Sequence, residues 1–305
     1  MPKDRSTPLP LASPATLFGA VQFDMASKIS GRTYRILVFK PASPPPPAGY
    51  PVLVVTDGAM MFPLAATQSA TAGMFGRRTC LVVGVSYPGD DMWSAFRHRN
   101  RDLTPPTPLS RIRPQPGQPP VKAENYGGSD EFRRFLVEEL RPAIAAAYPV
   151  DPDDQTLYGH SLGGLFALTV LFDHPQAFRA FVASSPSIWW NRRAVLKAEA
   201  DFARRICARE AQPRVLIVVG AREQEPPPTT PPGMTRAMLR RLIASSRMVD
   251  NARELAGRLA AIKGGPGYEV RFCAFEDEDH GSVIPATISR ALGFALGNQR
   301  RTGAP

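Results

Sequence analysis

Gly159-His160-Ser161-Leu162-Gly163, followed by Gly164, sets one serine between glycines, with an apolar run on either side. In that setting Gly-x-Ser-x-Gly reads as a nucleophile elbow, a tight strand-to-helix turn that presents the serine hydroxyl. Glycines are needed because strand and helix approach too closely for a Cβ. The N–H of Leu162, first in the helix, is expected to face the point where an oxyanion would form. A serine hydroxyl is a poor nucleophile until a base takes its proton. With four histidines in the chain, the base can be sought by elimination. His160 lies inside the elbow, where the geometry of adjacent residues turns it from the serine. His174, in Asp173-His174-Pro175, reads as a helix C-terminal cap, and His98, among Arg97, Arg99 and Arg101, as a surface or substrate-facing residue. His280, in Asp279-His280-Gly281-Ser282, follows the last strand and precedes the last helix, and is taken as the base.

The acid should follow the strand that ends at Val219, which keeps the order serine, acid, histidine. Glu223, in Gly220-Ala221-Arg222-Glu223-Gln224-Glu225, is the first candidate and Glu225 the second; a Ser–His dyad without a strict acid stays open. Its task would be to fix the histidine tautomer and stabilise the imidazolium. The run Glu276-Asp277-Glu278-Asp279 reads as water-facing. A second oxyanion donor is expected from the main chain of Gly58 or Ala59, just after the strand Val52–Thr56, with Asp57 structural.

These residues need elements to position them. Thr33–Lys40, Val52–Thr56, Leu81–Val85, Thr156–Tyr158, Ala180–Ser184, Arg214–Val219 and Tyr268–Phe275 read as strands, several of them continuously apolar as buried parallel strands are. Helices are expected within Ala59–Gly73, over Ser129–Tyr148 with a cap at Ser129 and a kink or break at Pro142, over Leu162–Phe172 and Arg193–Arg209, within Met234–Ile262, and over Val283–Leu296. Thr104–Pro120 carries seven prolines and reads as a long surface loop, and Pro226–Pro232 as a second break. Strands alternating with helices predict an α/β layered, mostly parallel sheet in one domain over 21–298, with flexible segments at 1–20 and 299–305.

Composition narrows the function classes. Of 305 residues, 43% are hydrophobic, which suits a folded domain. No apolar stretch is long enough to span a bilayer. The net charge of +10 comes largely from arginine, only six of the 37 basic residues being lysine, and the arginines are scattered rather than massed. That pattern argues against nucleic-acid binding and leaves a local role in drawing anions to a site. Cys80, Cys207 and Cys273 stand apart with no Cys-x-x-Cys spacing, so neither a disulfide framework nor a metal site is expected, and no cofactor. Cys80 and Cys273 lie in apolar runs and read as small buried hydrophobes. The N-terminus is broken by Pro8, Pro10 and Pro14 where a signal peptide would have an apolar core, which gives the cytoplasm as the expected location.

Several segments resemble the bacterial esterase family of α/β-hydrolases, particularly its siderophore-esterase branch, which contains the enterobactin, salmochelin and bacillibactin trilactone hydrolases. They are Gly31-Arg32-Thr33-Tyr34-Arg35-Ile36, Gly49-Tyr50-Pro51-Val52 with Asp57-Gly58, Arg101-Asp102-Leu103-Thr104-Pro105, Gly127-Gly128 leading to Phe132 and Phe135, Gly159 to Phe166, Ser185-Pro186-Ser187-Ile188-Trp189-Trp190 and His280-Gly281-Ser282. The resemblance implies an α/β-hydrolase fold, no metal cofactor, and Ser161 and His280 as a catalytic pair. In some relatives the acid is replaced or dispensable. It implies bulky ester substrates, among them anionic ferric siderophores, for which Arg97, Arg101, Trp189 and Trp190 could supply charge and aromatic surface. The proline-rich loop departs from the family in composition. The expected activity is a serine carboxylic-ester hydrolase acting through an acyl-enzyme. The alternatives are an acyltransferase on the same fold and an inactive ligand-binding homologue; oligomeric state is left open.

Overall fold

A computed structural model describes residues 16–89, 92–113, 121–230 and 233–297, with the backbone alone for 92–96. Eight strands form one sheet in the order β1-β2-β4-β3-β5-β6-β7-β8. They are β1 (Ala20–Ala26), β2 (Thr33–Phe39), β3 (Tyr50–Val55), β4 (Leu81–Ser86), β5 (Val150–His160), β6 (Ala180–Ser184), β7 (Arg214–Gly220) and β8 (Glu269–Phe275). All pairings from β4 through β8 are parallel, while β1 and β2 add an antiparallel edge. Every residue of β3, β4 and β6 is buried, as continuous Val/Leu runs covered on both faces should be.

The helices are α1 (Gly58–Met74), α2 (Met92–Asp102), α3 (Ser129–Arg134), α4 (Arg141–Ala147), α5 (Leu162–Asp173), α6 (Trp190–Arg193), α7 (Glu199–Cys207), α8 (Arg236–Ser246), α9 (Met248–Ala260) and α10 (Val283–Ala295). One apolar layer joins Phe135, Phe166, Phe172, Phe202 and Leu255 to the sheet; a second, on the opposite face, joins Phe62, Ala66, Ile288 and Phe294. Each of the Phe, Leu and Ile side chains contributes about 1.5–3 kcal/mol by leaving water.

Several sequence expectations change. The helix expected over Ser129–Tyr148 is three pieces, because Phe135–Leu140 is a π-helix ending in Arg141 N–H to the Leu136 carbonyl. Pro142 has no N–H to continue an α-helical ladder, and the wider turn before it absorbs the loss. Its cap is Gly128 with no side-chain bond, and Ser129 is buried as the first helical residue. The helix expected from Arg193 starts at Glu199, after a 3-10 segment over Ala194–Ala198. Asn191, Arg192 and Arg193 have φ of 47°, 56° and 64°, so α6 is a left-handed turn rather than a right-handed helix, and the chain cannot run from it into α7 without a break. Arg247, left-handed at φ 43°, divides the helix expected within Met234–Ile262 into α8 and α9. The strand expected at Thr156–Tyr158 runs over the eleven residues of β5. Cys80 is buried and Cys273 only half-buried. Of the proline-rich loop, 104–113 is described and includes a 3-10 turn, Leu109–Arg111; 114–120, 1–15 and the tail at 299–305 lie outside the described residues.

The chain runs from β3 outward to β4, then returns to lay β5 on the other side of β3. That reversal opens a crevice at the carboxyl ends of β3 and β5, where ligands bind in open α/β sheets.

Candidate active site

β5 ends at His160 and α5 begins at Leu162, leaving Ser161 alone to make the turn. Its φ of 61° and ψ of −114° are a conformation that non-glycine residues avoid, at a cost of about 1–3 kcal/mol. Packing holds it there. Ser161 N–H donates to the Ser184 carbonyl at 2.9 Å, and its own carbonyl accepts from Leu165 at 3.0 Å and Ser187 at 3.1 Å. A Cβ at Gly159 would collide with the Gly163 carbonyl, and one at Gly163 with Thr56 Oγ1. The second collision shows how tightly the elbow is seated against the end of β3.

His280 comes from the loop between β8 and α10. Its Nε2 lies 3.1 Å from Ser161 Oγ, and its Nδ1 2.7 Å from Glu223 Oε2. Asp279 builds that loop by accepting the N–H groups of Gly281 and Ser282 at 2.8 and 2.9 Å, and these bonds hold its carboxyl below the usual range. Glu223 follows β7 in a 3-10 turn, and its side chain is fully buried. Its other oxygen, Oε1, accepts the Ser185 hydroxyl at 2.5 Å and Gly220 N–H at 2.7 Å. Thus Oε2 is left to the imidazole. Glu225 is exposed and faces Arg222 at 3.2 Å instead.

Sequence reasoning missed Ser185. It sits at φ 43°, fully buried, beside the elbow, and nothing in Ser184-Ser185-Pro186 marks which serine would reach a carboxylate 38 residues on. His160 is buried with Nδ1 at 2.9 Å from Ser184 Oγ, and its ring centroid is 4.7 Å from that of His280. Burial, then His280 and Arg99, holds its imidazole well below the ordinary range, so it packs as a neutral ring. His174 caps α5, its N–H donating to the Val170 carbonyl.

Asp57, Gly58 and Ala59 open α1 at the end of β3, beside the elbow. Leu162 opens α5 in the same crevice. The first N–H groups of a helix have no carbonyl partner inside it, so both turns offer donors.

Of the four residues expected around the substrate, Trp189 and Trp190 lie together with ring centres 5.9 Å apart, whereas Arg97 and Arg101 face different surroundings. Arg101 pairs with Glu131 at 2.7 Å. Arg97 lines a surface concavity of about 480 Å³ with Arg32, His98, Glu124 and Asn125, a lining that includes neither Ser161 nor His280. Trp190 is buried, its indole N–H donating to Thr107 Oγ1 at 2.9 Å with the Tyr126 ring 5.7 Å away, so it fastens the proline-rich loop. Trp189 is half-buried, with the Arg113 guanidinium 5.4 Å from its ring centre. Among the described residues no group of three or more His, Cys, Asp or Glu side chains is arranged to hold a metal ion, and no helix is long and apolar enough to cross a membrane.

The family model described as "Putative esterase" matches residues 27–255. The ferri-bacillibactin esterase BesA of Bacillus subtilis is 39% identical over 280 residues, covering 89% of this chain and 88% of its own. The siderophore triacetylfusarinine C esterase of Aspergillus fumigatus is 34% identical over 255 residues, with coverage of 79% and 80%. The crystal structure of the BES protein from Bacillus cereus superposes with a TM-score of 0.77 at 32% identity, over 93% of this chain and 98% of that one.

Proposed function

This chain belongs to the Putative esterase family of serine hydrolases, and from that premise we propose that Ser161, His280 and Glu223 are its catalytic triad and a ferric siderophore ester its substrate. The observation that carries the triad is the unbroken hydrogen-bonded line Ser161 Oγ, His280 Nε2, His280 Nδ1, Glu223 Oε2. Its distances are those a base needs to take a hydroxyl proton.

Chemistry follows from that line. Ser161 Oγ attacks the ester carbonyl carbon as its proton passes to His280 Nε2. Glu223, accepting from Nδ1–H, keeps the other nitrogen free for this transfer and stabilises the imidazolium. The carbonyl oxygen gains negative charge and is received by the N–H of Leu162 and that of Gly58 or Ala59. The carbon–oxygen bond to the alcohol breaks, and His280 returns its proton to the leaving alkoxide. Water, deprotonated by His280, then attacks the acyl carbon; the bond to Ser161 Oγ breaks, His280 returns the proton to Oγ, and the carboxylic acid is released.

The substrate class is supported by relatives of near-equal length whose names specify siderophore esters and by the net charge of +10, which favours an anionic ligand. We place the reaction in the cytoplasm, where the three free cysteines stay reduced. The deciding experiment pairs wild type with Ser161→Ala on short p-nitrophenyl esters and on ferric and iron-free trilactone siderophores. Wild type is expected to open the trilactone, and Ser161→Ala to lose at least about a thousandfold in kcat with unchanged circular dichroism. Retained turnover in the variant overturns the triad; turnover of simple esters alone overturns the substrate.

A further inference from the structure

We propose that Arg99 is a positioning residue for the oxyanion-binding turn, keeping the Asp57 carboxylate away from the main-chain donors that would receive the oxyanion. The inference rests on the triad and oxyanion reading above and adds a residue to it.

Asp57 stands at the N-cap of α1, a position where aspartate normally turns its carboxylate onto the N–H groups of the first turn. Here it does not. It has no side-chain bond to the helix, and its backbone is left-handed at φ 53° and ψ 46°. Both carboxylate oxygens are taken instead by the fork of Arg99 on α2, Nε to Oδ1 at 2.7 Å and Nη2 to Oδ2 at 2.9 Å. The pair is nearly dry, with 14% of the arginine side chain and 8% of the aspartate side chain exposed. Such bidentate pairing is the strongest form of ion pair and fixes orientation as well as charge.

Within α1 the Asp57 carbonyl accepts from Met60 and Met61 N–H at 2.9 and 3.1 Å. With Asp57 at the N-cap and Gly58 as the first helical residue, the N–H of Ala59, one residue further on, is the one an unrestrained Asp57 carboxylate would compete for. A carboxylate there would also set a negative charge beside the one that develops on the substrate oxygen. Arg99 removes both effects in a single contact. The turn has no room to escape toward the sheet, because a Cβ at Gly58 would already lie 2.8 Å from Val85 N. The elbow bounds it on another side through the approach of Gly163 to Thr56.

The test uses Arg99→Met, Arg99→Lys and the double variant Arg99→Met with Asp57→Gly, a residue that suits the positive φ and has no carboxylate. Readouts are kcat, KM and the affinity of an alkyl trifluoromethyl ketone, whose adduct with Ser161 carries the same oxyanion. Arg99→Met is expected to lose about a hundredfold in kcat, the scale of one lost oxyanion donor, and a similar factor in ketone affinity, with KM within about twofold. The double variant should recover at least about tenfold in both. Arg99→Lys, which keeps the charge without the fork, should fall between. A loss of thermal stability with kcat and ketone affinity unchanged, or a double variant no better than Arg99→Met, overturns the inference. Ser161→Ala run alongside separates the failures: turnover surviving there overturns the triad itself, whereas Ser161-dependent turnover indifferent to Arg99 overturns only the positioning role.

Discussion

The two sides of the crevice are built on different principles. The elbow side, β5 with α5 and the ends of β3 and β6, is held by main-chain bonds and by glycines pressed against backbone. The opposite wall, from α2 through residues 104–113 to Trp189, Trp190 and α8, is held by side chains: Arg99 on Asp57, Trp190 on Thr107, Arg111 on Asn191 at 3.3 Å, and Arg113 on Ser245 at 2.8 Å. Backbone contacts leave almost no freedom in residue choice, whereas side-chain contacts tolerate exchange. The first arrangement suits a fixed reaction and the second a substrate site that can change.

Substitutions can break or sharpen that contrast. The largest effect is expected from Glu223→Gln, which keeps the shape and reverses the hydrogen bond to His280 Nδ1. It should lower kcat by on the order of 10³–10⁴ with little change in melting temperature, and stopped-flow acylation would measure it. Gly159→Ala drives a methyl into the Gly163 carbonyl and should cost at least about 3 kcal/mol in a urea titration, the upper part of the overpacking range. A loss below about 1 kcal/mol would mean that the elbow gives way as readily as the opposite wall.

Asp102, at the end of α2, tests the polar side. Burial outweighs Arg32 and the Tyr87 hydroxyl and raises its pKa to about 6. A carboxyl that binds its proton more tightly when folded destabilises the native state at neutral pH, and acidification through about pH 6 relieves this. Asp102→Asn should therefore be more stable than wild type by up to about 3 kcal/mol at pH 7.5. The difference should shrink as pH falls toward 4.5, as melting curves across that range would show. The smallest effect on folding is expected from Arg113→Ala, within about 0.5 kcal/mol because its partner Ser245 is exposed. Its KM should rise a few-fold for an anionic ester and stay constant for a neutral one, a contrast that added salt erases.

What could be read from the sequence follows the same division. β3, β4, β6 and β7 are legible because burial on both faces writes them as apolar runs, and β5 only in its buried second half. β2 and β8 are legible by their β-branched and aromatic residues although they are partly exposed, and Ser161 because its turn demands glycines. β1 escaped notice as an edge strand whose residues are mostly exposed; Val21, Phe23 and Met25 do alternate along it, but the run is short and follows a proline-rich segment that hides it. α2 escaped because Arg97, Arg99 and Arg101 interrupt any apolar stripe, and Arg99 is held by Asp57 rather than by packing. The left-handed run Asn191–Arg193 and the break at Arg247 contain no glycine to announce them. Arg101 shows what charge alone does not reveal: its partly exposed side chain lies against Glu131, thirty residues on, a contact that no spacing in the sequence marks.

Two helices of 17 and 12 residues, α1 and α5, begin at the same crevice. Each carries a macrodipole worth about half a positive charge at that end, and the two add at one point. A field that favours a transient oxyanion favours any anion of similar shape, and ester cleavage leaves a carboxylate there. The acid formed in each turnover should therefore linger, and departure of product rather than acyl transfer would then limit the steady rate on good substrates.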